Sequence, residues 1–191
     1  MKKLFTMLVV AVFAFTINAS AQEISFGAKA GLNLASINGD DADDANFDGR
    51  TSFHVGAVVN IGIGEFFAVQ PEVVYSAQGF TAEEEGVDVT GKLDYLNIPV
   101  LADFTIAEGL SLQGGPQFGF NITSEAEADG ETEDIDDVES VDVAAGIGAQ
   151  YKLPALGLFF QARYVIGLSD VVSDFDGKNA NLSLSVGWFF N

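Results

Sequence analysis

Side chains with carboxylate or amide oxygens at alternate positions mark one segment of the sequence that could bind a divalent cation. Asp44, Asn46 and Asp48 are separated by single residues, and Gly49 follows them. This is the order in the first half of an EF-hand calcium loop, where such side chains supply oxygen ligands. The match then ends, because Val55 stands where that loop needs a bidentate glutamate. We therefore expect weak binding of divalent cations here, and the sequence predicts no other cofactor.

Nucleophilic catalysis needs a nucleophile held beside a base, and the sequence offers few candidates for either role. It contains one histidine, His54, and no cysteine, so thiolate chemistry and disulfides are both excluded. No order of serine, histidine and acid indicates a hydrolase. We interpret His54 as a structural residue on the polar face of a predicted strand, and we expect no enzymatic activity.

Charged residues on the polar faces of other predicted strands form the second candidate site. An isolated charge in a narrow protein interior costs several kcal/mol, so such charges must pair. We predict an ion-pair and hydrogen-bond cluster that also includes Gln70, and the alternative role for it is a gated path for ions or small solutes. Its predicted charged members are Lys29, Glu72, Asp103 and Arg163.

Alternation of apolar and polar side chains predicts the elements that position these residues. Neighbouring residues of a strand point to opposite faces, and eight segments follow this period. No segment after residue 21 has the period and caps of a helix. In the last strand, Leu182, Leu184, Val186, Trp188 and Phe190 alternate with Asn181, Ser183, Ser185 and Gly187. The predicted strands are 23–37, 52–63, 66–78, 93–106, 110–123, 141–152, 158–168 and 180–191.

The segments between these strands alternate strictly between short and long. Short turns lie at 64–65, 107–109 and 153–157, and long segments lie at 38–51, 79–92, 124–140 and 169–179. The long segments hold 21 of the 28 acidic residues, and we expect segment 124–140, with nine of them, to be a mobile loop. This alternation predicts an all-β, eight-stranded antiparallel up-and-down β-barrel with four long acidic loops and three short turns.

The apolar face of such a barrel points either into a soluble core or out into a bilayer. The strands are long enough to cross a membrane, and the asymmetry of the connections is that of outer-membrane barrels. Aromatic residues also cluster towards strand ends, as interfacial girdles require. These girdle candidates are Phe53, Phe66, Phe67, Tyr75, Tyr95, Phe104, Tyr151, Phe159, Phe160, Trp188, Phe189 and Phe190. We therefore predict a transmembrane barrel in preference to a soluble periplasmic, lipocalin-like barrel that binds lipid.

Residues 1–21 have the features of a secretory signal peptide. Lys2 and Lys3 precede an apolar run over residues 4–17, and Ala19-Ser20-Ala21 has the small residues of a cleavage site. Removal of this segment leaves a barrel domain over 22–191 and shifts the formal charge from −20 to −22. So acidic a chain is not expected to bind nucleic acid. The predicted location is the outer membrane.

Several short motifs in this order resemble the PorT-family outer-membrane β-barrels of Bacteroidetes. They are the segments GAKAGLN (27–33), VQPEVVYSAQG (69–79), LDYLNIPV (93–100) and GGPQFG (114–119). The resemblance covers about Ile24 to Phe190. It implies an eight-stranded barrel in the outer membrane, and it implies no specific chemistry.

Three functions follow as hypotheses. The first is a small non-enzymatic barrel with a polar, side-chain-filled interior and acidic surface loops, in a structural or partner-binding role. The second is a narrow pore or an accessory of a secretion or transport complex, and the third is the soluble lipid-binding barrel. The expected partners are outer-membrane lipid and an envelope protein. We expect a monomer, because closure of the barrel leaves no strand edge to pair.

Overall fold

The computed structural model describes residues 23–44, 47–84, 86–172 and 176–190. The predicted signal peptide and Asn46 of the predicted calcium site lie outside these residues. Within them, no helix is long and apolar enough to cross a membrane.

Nine strands and one short helix make up the described chain. Helix α1 is Asp40–Asp44. The strands are β1 (Ile24–Asn38), β2 (Asp48–Gly62), β3 (Phe67–Glu84), β4 (Val87–Ala107), β5 (Leu110–Ala128), β6 (Glu131–Asp134), β7 (Val141–Leu153), β8 (Leu158–Gly167) and β9 (Lys178–Phe189).

Eight of these strands close into an antiparallel ring in the order β1-β2-β3-β4-β5-β7-β8-β9. Closure comes from the pairing of β1 with β9, in which Lys29 lies opposite Gly187 and Asn33 opposite Ser183. The remaining strand, β6, pairs only with the far end of β5. The predicted eight-stranded up-and-down barrel is therefore confirmed.

The two faces of the ring differ in polarity as the alternation predicts. On β9 and at the residue after it, the outward side chains are apolar, and Leu184, Trp188 and Phe190 are 51%, 52% and 59% exposed. The inward side chains of the same strand, including Ser183 and Ser185, are buried. A soluble lipid-binding barrel would have the opposite arrangement, with its apolar side chains inside. The lipocalin-like hypothesis is therefore wrong.

The strands extend well past the apolar band, which corrects the predicted loop boundaries. Strand β4 has 21 residues, whereas about 9–11 suffice to cross a bilayer. Segment 79–92 is not a long loop, because β3 and β4 stay paired out to Glu84 and Val87. Segment 124–140 contains the β5–β6 hairpin, with Glu125 opposite Asp134. Helix α1 was also not expected from the sequence.

Candidate functional site

A buried carboxylate with two cationic partners lies in the middle of the lumen. Lys29 Nζ is 2.7 Å from Glu72 Oε2. Arg163 Nη1 donates to Glu72 Oε2 at 2.9 Å, and Arg163 Nη2 donates to Oε1 at 2.6 Å. All three side chains are at most 4% exposed. The two-pronged contact of the guanidinium with the carboxylate is the strongest geometry for such a pair.

The barrel topology explains how residues so far apart in sequence meet. Lys29, Glu72 and Arg163 lie on β1, β3 and β8, and each points inwards. Since β3 and β8 are not neighbours in the ring, the Arg163–Glu72 contact crosses the lumen. Gln70 joins the cluster by donating Nε2 to Glu72 Oε1 at 2.9 Å. The structure thus brings three of the four predicted charges together with the predicted glutamine.

Asp103, the fourth predicted charge, lies in a neighbouring layer of amide side chains. Its Oδ2 accepts from Gln113 Nε2 at 2.7 Å and from Gln150 Nε2 at 3.4 Å. Among the described contacts, Lys29 and Arg163 form their ion pairs with Glu72 and not with Asp103. The prediction that Asp103 belongs to the ion pairs is therefore wrong, and this carboxylate is hydrogen-bonded by amides instead. Gln161 links the two groups, because it donates to Gln113 and accepts from Lys29. This glutamine layer is absent from the predicted cluster, although Gln113, Gln150 and Gln161 lie on the polar faces of predicted strands.

His54 takes part in a hydrogen-bond chain in the same lumen. Its Nδ1 lies 2.9 Å from Asn33 Oδ1, and its Nε2 lies 2.8 Å from Ser185 Oγ. Asn33 Nδ2 donates to the carbonyl oxygens of Phe53 and Ala77, which fixes the orientation of this amide. Its Oδ1 therefore accepts from His54, so the proton is on Nδ1, and Nε2 accepts from the Ser185 hydroxyl.

This Ser185–His54–Asn33 chain has the order of a hydrolase triad, but it is enclosed. His54 is 3% exposed, Ser185 5% and Asn33 0%. Gly31 also lies close to the chain, since a Cβ there would be 2.7 Å from His54 Cε1. Such a tight enclosure leaves no room for a substrate beside the serine. No spacing motif predicts this chain, because its three residues lie on three different strands.

An apolar cluster closes the end of the lumen that carries the long connections. We call it the cap cluster. Described residues of all four acidic segments, 38–51, 79–92, 124–140 and 169–179, contribute to it, so the cluster holds these segments against one another. The isolated bridge between Val138 and Val172 ties the third connection to the fourth. Its buried members are Ile37, Ala42, Leu93, Tyr95 and Val171, with Phe47, Phe80, Ile135, Val138 and Val172 packed against them.

A second apolar cluster, here called the short-turn plug, closes the opposite end. It consists of Val58, Phe159 and Phe189, and Phe159 is 0% exposed. The two rings lie 4.7 Å apart, and Lys152 Nζ lies 5.2 Å from the Phe189 ring centre. A Cβ on Gly187 would clash with Phe159, so the bare glycine makes room for this ring.

The two closures correct part of the predicted aromatic girdle. Tyr95, Phe159 and Phe189 point inwards and are at most 6% exposed, whereas Trp188 and Phe190 point outwards. Between the closures lies a cavity of about 20 Å³, beside Lys29, Arg163 and Asn181. That volume is about the size of one water molecule. The described lumen is therefore filled by side chains.

The surface beyond the cap cluster is acidic, and some of its acids have cationic partners. Lys178 Nζ lies 2.7 Å from both Asp170 Oδ1 and Asp176 Oδ1. The hydrogen bond from Lys178 lowers the pKa of Asp176, and those to the two aspartates raise the pKa of Lys178. Lys92 similarly pairs with Glu127 and lowers the pKa of that carboxyl. These pairs offset only part of the negative charge.

The predicted calcium site is only partly described. Asp44 ends α1 and Asp48 begins β2. Among the described residues, no three side chains of the metal-binding types are close enough together to hold an ion. Calcium binding at Asp44, Asn46 and Asp48 stays a prediction.

Comparison with known proteins agrees with this architecture. Ail, the attachment invasion locus protein of Yersinia pestis, superposes with a TM-score of 0.56 at 20% identity over 88% of this chain and 99% of Ail. Neisserial surface protein A superposes with a TM-score of 0.62 at 15% identity, also over 88% of this chain and 99% of its own. No curated protein matches the sequence.

The family assignment comes from the sequence itself. Residues 19–173 match the family described as "Outer membrane protein beta-barrel domain". That match covers most of the chain, including every strand except β9. The apolar exterior, the closed ring and the matched sequence agree, and they locate the protein in the outer membrane. This chain belongs to the outer membrane protein beta-barrel domain family.

Proposed function

We propose that this protein is a non-enzymatic, non-conducting anchor that holds a rigid acidic surface outside the membrane for a cationic partner. The observation that carries the proposal is the cap cluster, because it fixes all four acidic connections in one body. A fixed charged surface binds with a smaller loss of conformational entropy than four independent loops. By the usual orientation of outer-membrane barrels, this surface faces the cell exterior and the short turns face the periplasm.

The buried lumen supports the non-enzymatic and non-conducting parts of the proposal. Ser185 and His54 are enclosed, so a substrate has no access to the one serine–histidine contact described here. The short-turn plug and the cap cluster lie across the two ends of any ion path. The ion pairs on Glu72 then act as a polar core that holds opposite walls of the barrel together.

The chemistry of the surface indicates the class of partner. The formal charge is −20, and strand β6 exposes Glu131, Glu133 and Asp134 to solvent. A protein with a basic surface is favoured by this charge, and nucleic acid is disfavoured. We propose that this partner is an envelope protein. We propose that the barrel itself is monomeric.

Crosslinking in intact cells tests this function. The parent and a variant with Glu131→Gln, Glu133→Gln and Asp134→Asn are crosslinked, purified in detergent and compared by mass spectrometry. We expect the parent to capture a basic envelope protein, and the variant to lose it. Glu108→Gln in a short turn at the opposite end is the matched control and should retain the partner. The same captured proteins in parent and triple variant would contradict the proposal.

A further inference from the structure

A groove of about 550 Å³ crosses the lipid-facing surface of β1, β9, β8 and β7 and reaches the start of β5. It forms where alanines stand beside large side chains. Ala30, Ala149 and Ala162 leave the space, and Leu184, Tyr151 and Phe160 stand beside it. The volume lies within the range of about 300–1,000 Å³ that holds a drug-sized ligand. We propose that this groove binds one acyl chain of a phospholipid from the periplasmic leaflet.

The register places these residues in two parallel rows across the strands. In one row, Ala30 lies opposite Val186, which lies opposite Phe160, which in turn lies opposite Tyr151. In the next row, Leu184 lies opposite Ala162, which lies opposite Ala149. Residues of both rows line the same depression, so a flexible, convex chain can lie across these strands.

The position of the groove in the barrel indicates the leaflet. Leu110, at one end of the groove, is the first residue of β5 after a short turn, and Tyr151 lies opposite it near the end of β7. Short turns of outer-membrane barrels face the periplasm. The Tyr151 hydroxyl is the only polar side-chain group among the outward residues of the groove. A tyrosine at this depth suits the boundary between acyl chain and headgroup.

A second copy of the protein fits this groove poorly. A symmetric dimer would set the same patch against itself, so groove would face groove and leave an empty space between the copies. The residues that line such a space would make no dispersion contacts with the other copy, and these contacts are what hold helices or barrels together in lipid. An acyl chain is convex and fills the groove. The inference depends on the location in the membrane and is independent of the proposed partner-binding surface.

Native mass spectrometry with a defined lipid tests the site. The barrel is reconstituted with palmitoyl-oleoyl-phosphatidylethanolamine and transferred to a mild detergent, and retained lipids are counted. We expect one lipid per parent barrel and about a tenfold lower occupancy in the double variant Ala149→Leu/Ala162→Leu. Ala102→Leu, which also enlarges an outward alanine but on β4, is the matched control and should retain the lipid. Apolar substitutions on this face leave the barrel able to fold.

Fluorescence gives a second readout, because Trp188 is the single tryptophan of the chain. It lies opposite Ala28, one row from Ala30 and Val186 on the periplasmic side. A phospholipid with brominated acyl chains should quench Trp188 at a lower mole fraction in the parent than in the filled double variant. Equal quenching curves and equal lipid retention in parent and double variant would overturn the proposal. A dimer of the parent that the double variant loses would also overturn it, since a second copy would then occupy the groove.

Discussion

At the scale of single residues, Glu72 is the centre of the polar core. It lies between two cations and accepts from Gln70 as well, so its charge is fully compensated. Replacing such a buried pair by apolar residues is often neutral, whereas removing one partner is strongly destabilising. The cluster therefore adds little net stability relative to apolar side chains, and its main effect is to specify which strands face one another across the lumen.

Removal of the central carboxylate should weaken the barrel severely. Glu72→Gln leaves Lys29 and Arg163 as two buried like charges, and we expect the free energy of unfolding to fall by about 3–5 kcal/mol. Urea unfolding in vesicles, followed by heat-modifiable gel migration, measures it. Glu83→Gln changes an exposed acid on the same strand, β3, and should cost less than about 0.5 kcal/mol. Equal midpoints for the two variants would contradict a structural role for the cluster.

The exposed pair of Lys178 and Asp176 gives a prediction about pH. The pKa of Asp176 is lower in the folded protein than in the unfolded chain, where it is about 3.9. The pair therefore stabilises the fold fully above a pH of about 3.9, and this contribution is lost as the pH falls through the pKa of the folded state. In Lys178→Met, the Asp176 pKa should rise towards about 3.9. Carboxyl-detected NMR titration measures it. The lowered pKa of Glu127, which pairs with Lys92, should not change. An unaltered Asp176 titration in the variant would show that Lys178 is not the cause.

At the scale of elements, the sequence predicts the strands and their faces but not their outer ends. Period-2 alternation suffices for most of β9, where every second side chain from Leu182 onwards is exposed. It fails at 79–92 and 124–140, because their acidic composition is typical of loops. There, cross-strand hydrogen bonds and apolar contacts with other connections stabilise the strands. Contacts between distant segments leave no local pattern in the sequence.

The same limit applies to the side chains that close the lumen. Phe159 and Phe160 are adjacent, as are Phe189 and Phe190, so each pair has one ring on each face. The position of all four rings near strand ends predicts a girdle and does not distinguish the inward ring of each pair from the outward one. The ion pairs were easier to predict, because a charged side chain that points into a narrow barrel is buried, and a buried charge is costly unless it is paired. The hydrogen-bond partners of Asp103 depend on register, which alternation does not give.

The extended β3–β4 hairpin should behave as stable structure. Phe80 lies opposite Gly91 in this hairpin, and its ring stacks on Phe47 at 4.0 Å. Backbone amides of residues 80–83 should therefore exchange slowly with deuterium, and Phe80→Ala should reduce their protection about tenfold. Ile106→Ala is the control, because Ile106 lies at the short-turn end of β4, far from this hairpin. It should leave these amides protected. Fast exchange in the parent would mean that this hairpin opens freely.

At the scale of the whole molecule, the barrel has three successive barriers along its axis. They are the cap cluster, the ion pairs around Glu72 and the short-turn plug. Each has a different chemical basis, since the outer two are apolar and the middle one is charged. An eight-stranded ring is just wide enough for side chains to fill it. Closure therefore follows from the size of the ring as well as from these particular residues.

Three barriers in series predict that the protein does not conduct ions. In planar bilayers the parent should show no discrete current steps at voltages where an open porin does. Phe159→Ala/Phe189→Ala should also stay silent, because the ion pairs and the cap cluster remain in place when the short-turn plug is removed. The reconstituted porin is the positive control, and heat-modifiable migration confirms that each variant is inserted and folded. Regular steps from the parent would instead favour the narrow-pore hypothesis, and steps from the double variant alone would make the short-turn plug the principal barrier.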